Sequence, residues 1–139
     1  MSRLILAASA TACALCLCAA PAAATTTQSD IPVTPTAGLI ATLARSSVKV
    51  VALTIVPAHQ FQSFDNIITR ESGWDVFAVN PASGAYGLGQ ALPPEKMGTH
   101  GPDWLFNPVT QIRWTYDYMN ARYGSPDRAW AFWQIHHWY

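Results

Sequence analysis

All six Trp, all five Tyr and all five Phe of this 139-residue chain lie between Phe61 and Tyr139. A stretch so loaded with rings must fold, because large side chains supply much of the core that a small domain can build. The residues before Phe61 contain no aromatic ring apart from His59. The folded domain is therefore placed at 61–139, and the length allows one domain of ordinary size rather than two.

Within that stretch the most demanding position is Glu71. On a helix turning about 100° per residue, Phe61, Phe64, Ile67 and Ile68 share one arc and Glu71 falls inside it. Ser63 as N-cap and Gly73 as C′ residue would bound this helix at 63–72. A carboxylate on an apolar face is costly to bury, so it needs a partner or a purpose. The negative pole of the helix end and the apolar surround both favour its protonated form. That is the state a general acid requires. The bland alternative is a buried glutamate tied to a backbone amide or to Arg113 or Arg122.

The rest of the domain reads as helical with one irregular piece. From Trp74 to Gln90 come Asn80-Pro81, Ser83-Gly84, Gly87 and Gly89, which suggests backbone passing close to something or a short irregular hairpin. Pro93 to Met97 can open a single helical turn, and Gly98 to Phe106 reads as a loop. Asn107-Pro108 starts a helix on which Val109, Ile112, Tyr116, Met119 and Tyr123 form one narrow stripe, ended by Gly124. Trp114 and Tyr118 lie opposite that stripe, placed either to pack against a helix or to stack on a sugar. Ser125-Pro126-Asp127 starts a last helix that is apolar on every side, which predicts a central, buried position. Trp138 and Tyr139 are expected to dock onto the domain. The fold class is mainly α, a compact helical domain with a glycine-rich irregular or short hairpin segment.

The N-terminal part sets the compartment. Arg3, the apolar run Leu4–Ala20 and then Pro21-Ala22-Ala23-Ala24 read as a secretory signal peptide at 1–24, with an uncleaved membrane anchor as the rival reading. All three cysteines, Cys13, Cys16 and Cys18, lie inside it, so the mature chain is expected to carry no disulfide and no thiol-bound metal. Residues 25–60 read as a linker or poorly structured region. Val48–Val56 there suits either a short strand or a tether, and Arg45, Ser46, Ser47 and Lys49 make 38–56 a poor membrane span. The formal net charge is zero, with no two Lys or Arg adjacent, which argues against nucleic acid as partner. His136-His137 point about 100° apart on a helix and make no metal pair.

Glu71-Ser72-Gly73-Trp74, then Asn80 through Gln90, then Asn107-Pro108-Val109-Thr110-Gln111-Ile112 resemble the soluble lytic transglycosylase family of the lysozyme-like superfamily. The resemblance spans about 61–139. It implies a lysozyme-like α+β fold and cleavage of the β-1,4 bond between N-acetylmuramic acid and N-acetylglucosamine in peptidoglycan. It implies Glu71 as the catalytic acid/base, with Ser72, Tyr86, Gly87 and Gln90 on the sugar groove. Aligning 127–134 with the family's third motif puts Trp133 where the family has a tyrosine and Gln134 where it has an asparagine. One carboxylate suffices if the substrate's N-acetyl group assists, and Glu95 is the only other glutamate. Asp75 or Asp103 as second carboxylate would allow plain hydrolysis, although Asp75 suits a turn. The expected protein is secreted or bound to the cell envelope, uses no cofactor or metal, takes peptidoglycan glycan strands as its partner and works as a monomer. A hydrolase, or a binding or aggregation-promoting protein without activity, are the alternatives.

Overall fold

The computed structural model describes residues 35–139; the signal-peptide reading and the cysteines fall outside them. Four α-helices follow one another: α1 Pro35–Ile55, α2 Ala58–Glu71, α3 Pro108–Tyr123 and α4 Pro126–His136. A 3-10 helix, Pro94–His100, lies between α2 and α3. Among the described residues no strand forms, and the hairpin-like segment is reduced to isolated bridges Val79–Tyr86 and Tyr86–Ala91.

Val48–Val56 is neither strand nor tether, since α1 runs through it to Ile55. Docking rewards a helix face that β-propensity does not see: Ala52 is buried in the core, with Val48, Val51 and Ile55 packed on it, and Val56 is buried just past the helix end. Lys49 Nζ pairs with Asp65 Oδ2 at 2.7 Å, and Arg45 lies 3.6 Å from Asp75. By length and hydropathy Ala37–Ile55 is long and apolar enough to cross a bilayer. Here its two cations are instead turned towards carboxylates of the domain.

The core is the expected one. Phe64, Ile67 and Ile68 of α2 meet Ile112 and Met119 of α3, all fully buried. Each such side chain contributes about 1.5–3 kcal/mol relative to exposure. The α2 helix starts earlier than the sequence suggests: Pro57 stands at the N-cap, and the Ser63 hydroxyl instead donates to Asp127 on α4. The caps of the later helices match the reading. Asn107 Oδ1 accepts from Val109 N, Gly124 takes a left-handed conformation, and Ser125 Oγ accepts from Arg128 N.

One expectation fails outright. α4 is not central: only Pro126 and Ala129 are buried, and Ile135 is 74% exposed. It packs on α2 and α3 along one side, while its outer rings cover one another, Phe132 against His136 at 4.1 Å and against Trp138 at 4.8 Å. The central helix is α3.

What α3 holds is the glycine-rich segment. The fully buried Gln111 amide accepts from Leu88 N at 2.9 Å and donates to Val76 O at 3.1 Å and Trp104 O at 2.9 Å. Gly87, at φ 76°, passes so close that a Cβ there would stand 2.6 Å from Gln111 Oε1. A side chain is excluded by both conformation and space. We expect Gln111→Leu to lower stability by at least about 2 kcal/mol in urea unfolding, because two buried backbone groups and one half-buried one lose their partner.

Candidate active site

Glu71 is the last residue of α2, and the chain turns sharply after it through Gly73 at φ 58° and Trp74 at φ 66°. Trp74 is held in that uncommon conformation by its Nε1–H, which donates to Asp65 Oδ1 at 2.9 Å, and by an edge contact with Phe64 at 6.2 Å. The carboxyl group is thereby aimed across the domain into a cleft of about 400 Å³. That is an ordinary size for a ligand site.

One wall of the cleft is the backbone run Gly89 to Leu92, and another is Trp114, Tyr118 and Arg122 of α3. His137, Trp138 and Tyr139 close a third side, and Lys96 stands at the edge. Trp114 and Tyr118 stack at 5.2 Å with 15° between planes. Trp114 belongs to a second buried cluster with Ala91 and Met97, so packing is its main role, and its cleft edge adds to the wall. Arg122 donates to Tyr118 Oη at 2.9 Å and lies 5.6 Å from the Trp138 ring.

Among the described residues Glu71 is the only carboxylate that lines the cleft. Its Oε1 accepts a hydrogen bond from Trp133 Nε1 at 3.0 Å. Neither Arg113 nor Arg122 is its partner. Burial pushes the Glu71 carboxyl above the usual carboxylate range, and the Trp133 hydrogen bond pulls it partly back. The other two acids considered from sequence are engaged elsewhere. Asp75 accepts from Phe77 N at 2.8 Å in a turn, and Asp103 accepts from Thr110 Oγ1 at 2.7 Å and from Asn107.

The remaining sequence-derived site residues divide. Gln90 lines the cleft, with its amide donating to Gly87 O at 3.0 Å. Ser72 sits beside Glu71, but its hydroxyl donates to Leu88 O at 2.9 Å and ties the end of α2 to the glycine-rich segment. Tyr86 donates to Leu105 O at 2.6 Å, and Gly87 packs on Gln111, so both shape the segment from behind. Trp133 touches Glu71 itself, and Gln134 is exposed on α4 with its amide turned to Trp130 O at 3.4 Å.

Sequence reasoning did not reach Gln111, Gly89 or Tyr139 as site residues. Tyr139 Oη–H donates to Gly89 O at 2.8 Å, and burial together with the nearby Glu71 raises its pKa well above the usual value, so it stays a donor. A Cβ on Gly89 would stand 2.9 Å from that oxygen and 2.4 Å from Thr115 Oγ1. The signal that points to Tyr139 is its chemistry, an aromatic with a polar tip that needs a buried partner. Among the described residues no group of three or more His, Cys, Asp or Glu is placed to hold a metal ion.

The cleft thus combines one half-buried glutamic acid with aromatic, cationic and backbone groups on a helical domain. The chain is a member of the Transglycosylase SLT domain family, whose model matches residues 57–134. Members of that family have a lysozyme-like, transglycosylase kind of activity on peptidoglycan of the cell wall. Neither a curated protein nor a solved structure gives a significant match to the chain.

Because burial raises the folded-state pKa of Glu71, the folded chain holds this proton more tightly than the unfolded chain does. The associated stability is full below the unfolded value and is lost as pH rises through the folded one. Glu71→Gln is neutral at every pH and can still accept from Trp133. It should therefore melt at a higher temperature than wild type at pH 7 and lose that advantage below about pH 4, as followed by calorimetry.

Proposed function

We propose that this chain is an exported lytic transglycosylase. It cleaves the β-1,4 bond between N-acetylmuramic acid and N-acetylglucosamine and leaves a 1,6-anhydro sugar. The observation that carries the reading is Glu71 as the one acidic side chain on the cleft among the described residues, at a helix end where burial favours its acid form. In the first step the Glu71 carboxylic acid gives its proton to the glycosidic oxygen, the C–O bond breaks, and the substrate's N-acetyl oxygen bonds to the anomeric carbon. In the second, the Glu71 carboxylate takes the proton of the C6 hydroxyl, whose oxygen displaces the N-acetyl oxygen at that carbon. Glu71 ends protonated, ready for the next strand, and no water is consumed.

This is the substrate-assisted route, which needs no second carboxylate. The backbone wall at Gly89–Leu92 supports close approach of a sugar, since Gly89 offers no side chain to hold it off. Tyr118 and Trp138 present ring surface to the same space. Export fits both the apolar leader at 1–24 and a substrate outside the cytoplasm.

Mass spectrometry of muropeptides after digestion tests the reaction. Anhydro products, one water lighter than hydrolysis products, are expected; reducing ends would make the enzyme a hydrolase. Folded protein that releases nothing would make it a binding protein. Glu71→Gln is expected to lower clearing of a peptidoglycan gel by at least about 100-fold while leaving the fold intact. Retained activity in that variant would overturn the assignment.

A further inference from the structure

The contact between α2 and α4 does more than fill space. Trp133 Nε1 reaches only one oxygen of Glu71, Oε1, at 3.0 Å. Among the described residues Oε2 has no protein donor. An indole N–H donates and cannot accept, so it favours an anionic or carbonyl-type oxygen over a carboxylic O–H. While the contact stands, the proton of the acid form resides on Oε2.

Trp133 is itself held. Its ring stacks on Trp130 at 5.5 Å with 18° between planes. The Arg70 guanidinium, one residue before Glu71, lies 4.6 Å from the Trp130 ring and 5.0 Å from the Trp133 ring. Arg70 Nη1 in turn donates to Asn66 O at 3.2 Å. The indole is thus sandwiched against the helix that carries the acid, by a cation–π contact and a ring stack.

We propose that Trp133 is a positioning residue that assigns the two oxygens of Glu71, keeping Oε1 as acceptor and leaving Oε2 to carry the proton that meets the substrate. The inference rests on the reading of Glu71 as the acid/base. It also explains how one carboxyl group serves both steps. The same N–H that orients the acid stabilises the carboxylate left after proton donation, while burial favours return of the proton. The other ionisable groups around the cleft are Lys96, Tyr118, Arg122, His137 and Tyr139. None of them hydrogen-bonds Glu71, since Lys96 donates to Leu92 O, Arg122 to Tyr118 and Tyr139 to Gly89 O.

The deciding test needs no substrate. Glu71 and Glu95 are the only glutamates, so carboxyl-carbon NMR of glutamate-labelled protein gives two titrations to assign. Trp133→Phe keeps a ring and removes the donor. Its Glu71 titration is expected to move to higher pH, and the alkaline limb of the rate profile to follow. At the optimum kcat should fall about tenfold with KM within about twofold, the pattern of lost orientation rather than lost binding. A folded Trp133→Phe protein with the wild-type Glu71 titration overturns the proposal. If that variant does not fold, wild type decides. One of the six indole N–H signals should shift with the Glu71 midpoint and stop doing so in Glu71→Gln. If no indole follows Glu71, the assignment is wrong. Both readouts come from resting protein, so they fail separately from the muropeptide assay that tests the reaction itself.

Discussion

The side-chain amide of Gln111 is the interaction on which the cleft side of the domain depends. Val76, Leu88 and Trp104 belong to stretches with almost no regular backbone pairing, yet Leu88 N–H and Val76 C=O are buried, Trp104 C=O is half-buried, and all three must be satisfied. One amide, rigidly carried on the central helix, satisfies three of them. It replaces the sheet that this segment does not form. Thr115, one turn further along α3, donates to Gln111 O at 2.8 Å and extends the polar seam inside an otherwise apolar helix face. The cleft wall is therefore as rigid as α3, although it is made of loop.

Glu71 poses the complementary problem. Its helix buries the apolar face that leads up to it, so the carboxyl group is drawn in with its neighbours Ile67 and Ile68. Full burial would leave a charge stranded, and full exposure would leave an ordinary glutamate. The turn at Gly73-Trp74 stops the helix at the one place where the group sits between these limits. Asp65 anchors that turn, accepting from Trp74 and pairing with Lys49 of α1, so the N-terminal helix helps to hold the acid in place.

Which parts could be read without coordinates follows from how local their causes are. Asn107-Pro108 with Gly124, and Ser125-Pro126, act through their own backbone, and the helices begin and end where they stand. The position of Glu71 on an apolar arc is equally local, and it survived. α1 was not legible because Val48–Val56 favours a strand by composition, and only Ala52, Lys49 and their distant partners make it a helix. α4 misled for a related reason. An all-apolar wheel says that every face avoids water, but rings packed edge-on or tilted on the outside can shield one another without a second layer of protein. At the site, Ser72, Tyr86 and Gly87 stand in the right neighbourhood, yet their groups face the scaffold. No residue-type argument tells a hydroxyl turned to a sugar from one turned to a carbonyl.

The space beside Gly89 has a consequence for how this chain can change over time. Thr115 and Tyr139, far apart in sequence, both press into the volume where a side chain at position 89 would sit. The three positions behave as one unit of variation. A larger residue at 89 needs a smaller one at 115 and room at 139, because Thr115 alone would stand 2.4 Å from a Cβ there. Such coupled positions drift together or not at all, and their effects do not add. Here the coupling draws its tightness from a missing side chain, so the most constrained position of the cleft is the one with the least chemistry of its own.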